Sequence, residues 1–144
     1  MLHIEHLVKD YPGSVRALDD VCLDVHDGEF VVLIGLSGSG KSTLLRCINR
    51  LIEPTSGRIM LDGQDVTAAQ GADLRKIRRG VGMIFQQFNL VKRSTVLTNV
   101  LTGRLGYVSQ WQALAAHFGE QDYRRALANL ERVGLRDRAQ QRAD

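Results

Sequence analysis

The sequence predicts an α/β fold in which an antiparallel β subdomain precedes a parallel core and a partial helical subdomain follows. Three patterns carry this reading. Val21, Leu23 and Val25 alternate with Cys22 and Asp24, the period of a half-buried antiparallel strand. Residues 30–34 form a continuous apolar run, Phe-Val-Val-Leu-Ile, of the kind buried on both faces of a parallel sheet. Tyr123, Ala126, Leu127, Leu130 and Val133 recur at the spacing of one helix face, with Gly134 placed to cap its C-terminus.

The elements follow in order. Residues 2–9 read as a strand and Tyr11-Pro12-Gly13-Ser14 as a turn into the strand around 21–25. The apolar strand 30–34 runs into a glycine-rich loop. Leu44, Leu45, Ile48, Leu51 and Ile52 then mark one face of a helix ending before Pro54. Residues 58–61 and 64–66 flank Asp62-Gly63, a pair suited to the positive φ values of a tight hairpin turn. A short basic helix is expected at 73–79, a second apolar strand at 81–85, and a polar loop at 86–95. Helical patterns resume near Val96.

With 144 residues, 44% of them hydrophobic and 24% charged, the chain has the composition of one globular domain and not of a disordered segment. Residues 1–72 hold 6 basic and 10 acidic side chains, and residues 73–144 hold 13 and 6, so the net +3 conceals a basic second half. None of the cations forms the run of five or six that marks a nucleic-acid tail, and no nucleic-acid partner is expected. The cluster Arg75, Lys76, Arg78 and Arg79 reads as a solvated helix face. No apolar stretch approaches a membrane span, and Glu5 and Asp10 stand where a secretory signal would be cationic and apolar, which predicts a cytosolic setting. Cys22 and Cys47 read as buried reduced thiols. His3 and His6, three apart in a strand, should face opposite sides, and no metal cage is readable.

The chemistry concentrates in Gly35-Leu36-Ser37-Gly38-Ser39-Gly40-Lys41-Ser42, a match to G-x-x-x-x-G-K-[ST] between an apolar strand and an amphipathic helix. Its glycines let the backbone curl so that successive N–H groups turn toward phosphate oxygens, and the helix beginning near Lys41 adds the positive end of its dipole. Lys41 should reach the β- and γ-phosphates of a nucleotide, with the Ser42 hydroxyl on a bridging Mg2+. Tyr11, before Pro12, reads by itself as a turn aromatic, with stacking on a base as the alternative. Gln86 directly follows an apolar strand, and strand ends of such sheets face the ligand crevice.

Taken together, these residues resemble the ATP-binding subunits of ABC transporters over essentially the whole chain. Tyr11 matches that family's adenine-stacking aromatic, residues 35–42 its Walker A loop with Thr43 following, and Val81-Gly82-Met83-Ile84-Phe85-Gln86 the strand leading to its Q-loop glutamine. Residues 51–58 and 61–63 look like its connection into the antiparallel subdomain, and 124–135 like its helical subdomain. Within the family, Phe88-Asn89-Leu90-Val91-Lys92-Arg93, Val96-Leu97-Thr98-Asn99-Val100-Leu101 and Gly103-Arg104-Leu105-Gly106 look most like the ATPase of phosphonate importers. ATPases of polar amino acid importers share much of this loop and are the nearest alternative.

The resemblance implies a RecA-like P-loop NTPase core that binds ATP and Mg2+. The phosphate site would be Gly35, Ser37, Gly38, Ser39, Gly40, Lys41, Ser42 and Thr43, with Tyr11 on adenine and with Ser42 and Gln86 on the metal. It also implies a subunit peripheral to the cytoplasmic face of the inner membrane. There it would work with transmembrane permease subunits and a second ATP-binding subunit, and indirectly with a periplasmic substrate-binding protein. The family continues with an LSGGQ signature, a Walker B strand ending in Asp and a catalytic Glu, and a switch His, none of which occurs here. Ile59-Met60-Leu61-Asp62 is too short an apolar run and reads as a hairpin, and His117 reads as a surface residue. Residues 1–144 are therefore expected to be the N-terminal part of such a domain, truncated before the signature motif, binding ATP without turnover. The missing strand would leave backbone groups and apolar side chains exposed. An unrelated P-loop kinase is the remaining alternative, with Asp62 as its carboxylate on the Mg2+ side.

Overall fold

The computed structural model describes residues 1–86 and 89–144, arranged as two compact units, Met1–Gly82 and Met83–Asp144. The first unit is built on a four-stranded antiparallel sheet of order β2-β1-β3-β4, with β1 at Leu2–Tyr11, β2 at Val15–Val25, β3 at Ser56–Leu61 and β4 at Gln64–Asp65. Asp62 (φ 48) and Gly63 (φ 75) make the expected β3–β4 hairpin turn. One face of the sheet packs Ile4, Leu7, Leu18, Ile59 and Val66 with Leu44 and Cys47 of helix α1 (Lys41–Ile48) and Ile77 of α2 (Gly71–Gly80).

The β1–β2 pair is not a regular ladder. Ile4 lies opposite Leu23 but Leu7 opposite Val21, so β1 carries one extra residue; Lys9 then lies opposite Leu18, so β2 carries one there, and it carries a second at Ala17, since Asp10 lies opposite Arg16. His6 (φ 47) and Asp20 (φ 52) are the left-handed residues in the first two of these three stretches. The β1 bulge also shifts the pairing with β3, between Glu5↔Arg58 and Val8↔Ser56. Gly57 sits there at φ 92, where an added Cβ would stand 2.4 Å from the His6 carbonyl oxygen, so only glycine fits.

Bulges and helix ends correct four sequence expectations. Strict alternation would point His6 away from His3, but the inserted residue moves Leu7 into the core and leaves His6 outside with His3 and Glu5. Cys22 is exposed, not buried, because Val21 and Leu23 occupy the core face of β2; Cys47 is buried as expected. Helix α1 stops at Ile48 and does not run to Ile52, since Arg50 turns left-handed (φ 51). Arg78 donates to the carbonyls of Asn49 (3.0 Å) and Arg50 (2.6 Å), so the basic face of α2 also serves as a cap for α1.

The larger correction concerns the parallel strands. Among the described residues, neither 30–34 nor 81–85 is paired in a sheet. Phe30 and Ile34 are 91% and 92% exposed, and Ile84 fully so. A strand meant for burial on both faces needs hydrogen-bonding neighbours on both edges, and those neighbours are absent from these residues. Apolar side chains of both runs are thus exposed among the described residues.

The second unit is helical: α3 at Val96–Thr102, α4 at Gln110–Leu114 and α5 at Glu120–Arg132, with 3-10 turns at Leu105–Tyr107 and Arg136–Arg138. Its core is Leu97, Leu101, Phe118, Ala126, Leu130 and Ala139. Thr95 caps α3 by accepting from the Thr98 N–H at 3.1 Å, and Ser109 and Gln112 form a capping box on α4. Gly134 (φ 71) ends α5 as expected: its N–H donates to Glu131 O (3.0 Å) and that of Leu135 to Leu130 O (2.8 Å), a Schellman motif. His117 is exposed, as read from the sequence.

Candidate functional site

The glycine loop lies in the first unit and leads directly into α1. Gly38 (φ 83) and Gly40 (φ 85) take left-handed conformations on either side of Ser39, an alternation that turns successive N–H groups to one side as an anion nest does. The Ser39 N–H donates to Leu36 O at 3.2 Å and closes the loop; Leu44 N–H donates to Gly40 O at 2.8 Å and starts the helix. Lys41 folds back over the loop. Its ammonium donates to Gly35 O (2.8 Å), Leu36 O (2.7 Å) and Ser39 Oγ (3.1 Å).

Close approach bears on two glycines, mildly at Gly35, where the neighbour is a side chain, and strictly at Gly40, where it is backbone. A Cβ on Gly35 would stand 2.7 Å from Ser39 Oγ and 3.8 Å from Lys41 Nζ, inside the space the loop keeps for polar groups. A Cβ on Gly40 would stand 2.3 Å from the Ala17 carbonyl oxygen, so Gly40 seats the loop on β2. This contact was not legible in the sequence, where 17 and 40 are linked by no pattern.

Ser37, Gly38 and Ser39 are exposed, Ser42 is exposed on the first turn of α1, and Thr43 is half-buried beside it. Behind the loop, burial pushes the Cys47 thiol up, so it stays a neutral part of the core. Tyr11 ends β1 and pairs with Val15, two residues before the Ala17 that receives Gly40. Its half-buried ring has the Lys9 ammonium over its face at 5.2 Å from the centroid.

The structure therefore gathers the loop residues 35–43 and puts Tyr11 on the hairpin that supports them. Gln86 is exposed and belongs to the second unit. Residues 87 and 88 lie outside the described residues, and with them Phe88, the first residue of the stretch compared above with phosphonate importers. Asp62 is engaged on the hairpin turn, where its carboxylate accepts from the N-terminal ammonium at 2.6 Å.

A further cluster was missed by the sequence reading. His6 Nδ1 lies 2.7 Å from Asp20 Oδ1 and 4.0 Å from Cys22 Sγ, and the three ligand atoms all fall within 4.8 Å of one another. The two bulges make it, and no spacing in the sequence announces a bulge.

Comparison with known proteins bears on the loop and on the whole chain. A family model described as ABC transporter matches residues 18–144. The phosphonates import ATP-binding protein PhnC of Lactobacillus johnsonii is 50% identical over 144 residues, covering all of this chain and 57% of its own length. Its counterpart in Nitratidesulfovibrio vulgaris is 52% identical over 143 residues, 99% of this chain and 54% of its own length. Among solved structures, a dimeric ATP-binding cassette in a post-hydrolysis state bound to ADP and Pi superposes with a TM-score of 0.78 at 33% identity, covering 99% of this chain and 62% of that one. A nucleotide-free ATP-binding cassette from an ABC transporter gives 0.77 at 31% identity, covering 99% and 57%. The chain thus spans little more than half the length of these curated relatives.

Proposed function

Since the chain belongs to the ABC transporter family, we propose that it is the N-terminal part of a nucleotide-binding domain that holds MgATP and helps drive the import of phosphonates. The observation that carries the ATP site is the Lys41 ammonium, gathered with Gly35 O, Leu36 O and Ser39 Oγ at the N-terminus of α1. Three neutral acceptors hold a full positive charge there, and phosphate oxygens are stronger acceptors for it. The cradle fits such a group: beside Ser39 Oγ and Lys41 Nζ the glycine backbone at 35 leaves the space that a Cβ would fill.

On this reading Lys41 exchanges its loop acceptors for phosphate oxygens, while Ser37, Gly38, Ser39, Gly40 and Thr43 line the phosphate from the loop and first helical turn. The Ser42 hydroxyl, on the first turn of α1, holds Mg2+. Tyr11 lays its ring on adenine, its face free to trade Lys9 for the base. ATP, when bound, supplies the γ-phosphoryl group whose hydrolysis powers transport. In the whole protein the partners would be transmembrane permease subunits, a second ATP-binding subunit and, indirectly, a periplasmic binding protein, at the cytoplasmic face of the inner membrane. Among the described residues, no helix is long and apolar enough to cross a membrane.

Calorimetry with MgATP tests the site. Lys41→Ala should weaken binding by about 1.5 to 3 kcal/mol, and Tyr11→Ala should weaken ATP and ADP alike; wild-type affinity in Lys41→Ala would remove the phosphate assignment. The cargo is supported by the 50% identity to phosphonates import proteins over the whole chain. It is tested by growth on a phosphonate as sole phosphorus source, in a strain whose own phosphonate ATPase is deleted, after restoring the full-length gene. Rescue of a polar amino acid importer in its place would move the assignment to that neighbouring group.

A further inference from the structure

We propose that His6, Asp20 and Cys22 form a surface site for a borderline divalent transition metal, Zn2+ being the natural guest, that clips β1 to the edge strand β2. The argument begins with the backbone. The pairing of β1 with β2 slips by one residue in β1 and then by one in β2 around these positions, and the left-handed residues in those two stretches, His6 at φ 47 and Asp20 at φ 52, are not glycine. A non-glycine side chain pays strain in that region, and bulges serve to re-aim side chains.

What they aim is a mixed N, O, S set on the solvent face of the sheet. His6 Nδ1 is 2.7 Å from Asp20 Oδ1 and 4.0 Å from Cys22 Sγ, and the His6 backbone N–H donates to that sulfur at 3.3 Å, orienting it. Bonds of about 2.0 to 2.3 Å from Zn2+ to N, O and S in tetrahedral geometry put ligand atoms roughly 3.3 to 3.7 Å apart. The His–Asp pair must open slightly and the His–Cys pair close slightly, both well within side-chain freedom at an exposed site.

One imidazole, one carboxylate and one thiolate select Zn2+ or Co2+ over Mg2+ or Ca2+, which prefer oxygen throughout. Binding displaces the Cys22 thiol proton to solvent, and water completes the fourth position. The neighbouring His3 is engaged differently: its Nε2 lies 2.9 Å from Glu5 Oε1 and its Nδ1 pairs with Asp24, so it is a control on the same surface.

Co2+ titration of the 144-residue chain, freshly reduced and then freed of reductant, reads the site directly. The expected result is a near-ultraviolet thiolate-to-cobalt charge-transfer band with tetrahedral visible bands, saturating at about one equivalent and bleached by Zn2+. Cys22→Ser should abolish the charge-transfer band. His6→Gln and Asp20→Asn should each weaken Co2+ binding by at least about tenfold, while His3→Gln and Lys41→Ala leave it unchanged. Circular dichroism of each variant, matching wild type, ties a lost band to a lost ligand. A wild-type chain without the thiolate band, a band that survives in Cys22→Ser, or equal loss in His3→Gln would overturn the proposal and leave a simple His6–Asp20 hydrogen bond.

Discussion

At Gly40, conformation and contact make the same demand: φ is 85 and the missing Cβ would stand 2.3 Å from a backbone oxygen of β2. A flexible side chain could yield to such an intrusion, but the Ala17 carbonyl is backbone and moves only if β2 moves with it. Gly40→Ala should therefore cost about 1 to 3 kcal/mol of stability and displace the start of α1. Urea unfolding measures the first, and weakened MgATP binding the second. A variant as stable as wild type would mean that the loop does not rest on β2. Gly38, also left-handed, has nothing within 4 Å of its Cβ position, so there alanine meets only the backbone preference and should cost less.

Among the elements, the β3–β4 hairpin holds the most perturbed carboxylate. Asp65 sits at about pKa 2, below its ordinary 3.8, first because the Thr67 hydroxyl donates to it, and then because Arg58 Nε (2.7 Å) and the Ala68 N–H (3.0 Å) do. A carboxyl whose folded pKa lies below its unfolded one stabilises the fold above about pH 4 and loses that contribution as pH falls toward 2. We expect acid to remove about 1 to 2 kcal/mol through this group, and Asp65→Asn to flatten the decline over that window while lowering stability at pH 7. Unfolding midpoints from pH 2 to 7 decide it; an unchanged slope in Asp65→Asn would place the acid sensitivity elsewhere. Arg50 shows the same use of polar groups between elements. Its guanidinium, only 10% exposed, donates to Val66 O (3.0 Å) and Ala69 O and pairs with Glu53, whose carboxyl is held below its usual range by that contact.

On the scale of the whole molecule, each unit has its own core, and the segment between β2 and α1 has none. Residues 30–36 present Phe30, Val31, Val32, Leu33, Ile34 and Leu36 to solvent in the stretch that leads into the phosphate loop. The loop is therefore anchored through Gly40 and α1 and not through a sheet beneath it. On the proposed reading, binding rests on the loop with Lys41, Ser42 and Tyr11, whereas turnover needs a carboxylate that polarises water and a signature loop that closes the site, and residues 1–144 contain neither motif. Phosphate release by the 144-residue chain should stay at background with saturating MgATP. Robust release that Lys41→Ala abolishes would reveal a catalytic carboxylate not identified above.

Local chemistry was legible without any structure. The loop motif, the Asp62-Gly63 hairpin, the helix over Tyr123 to Val133 and its Gly134 cap all rest on residue types whose backbone preference or spacing acts over a few neighbours. Register and pairing were decided only in three dimensions. The same apolar run at 30–34 that would be a central strand between partners is an exposed segment where none pairs with it among the described residues, because its backbone bonds must come from residues distant in sequence. Likewise a period of two cannot announce an inserted residue, so the bulges at His6 and Asp20, the outward turn of Cys22 and the seat of Gly40 on Ala17 all depended on how β1 settles against both of its neighbours.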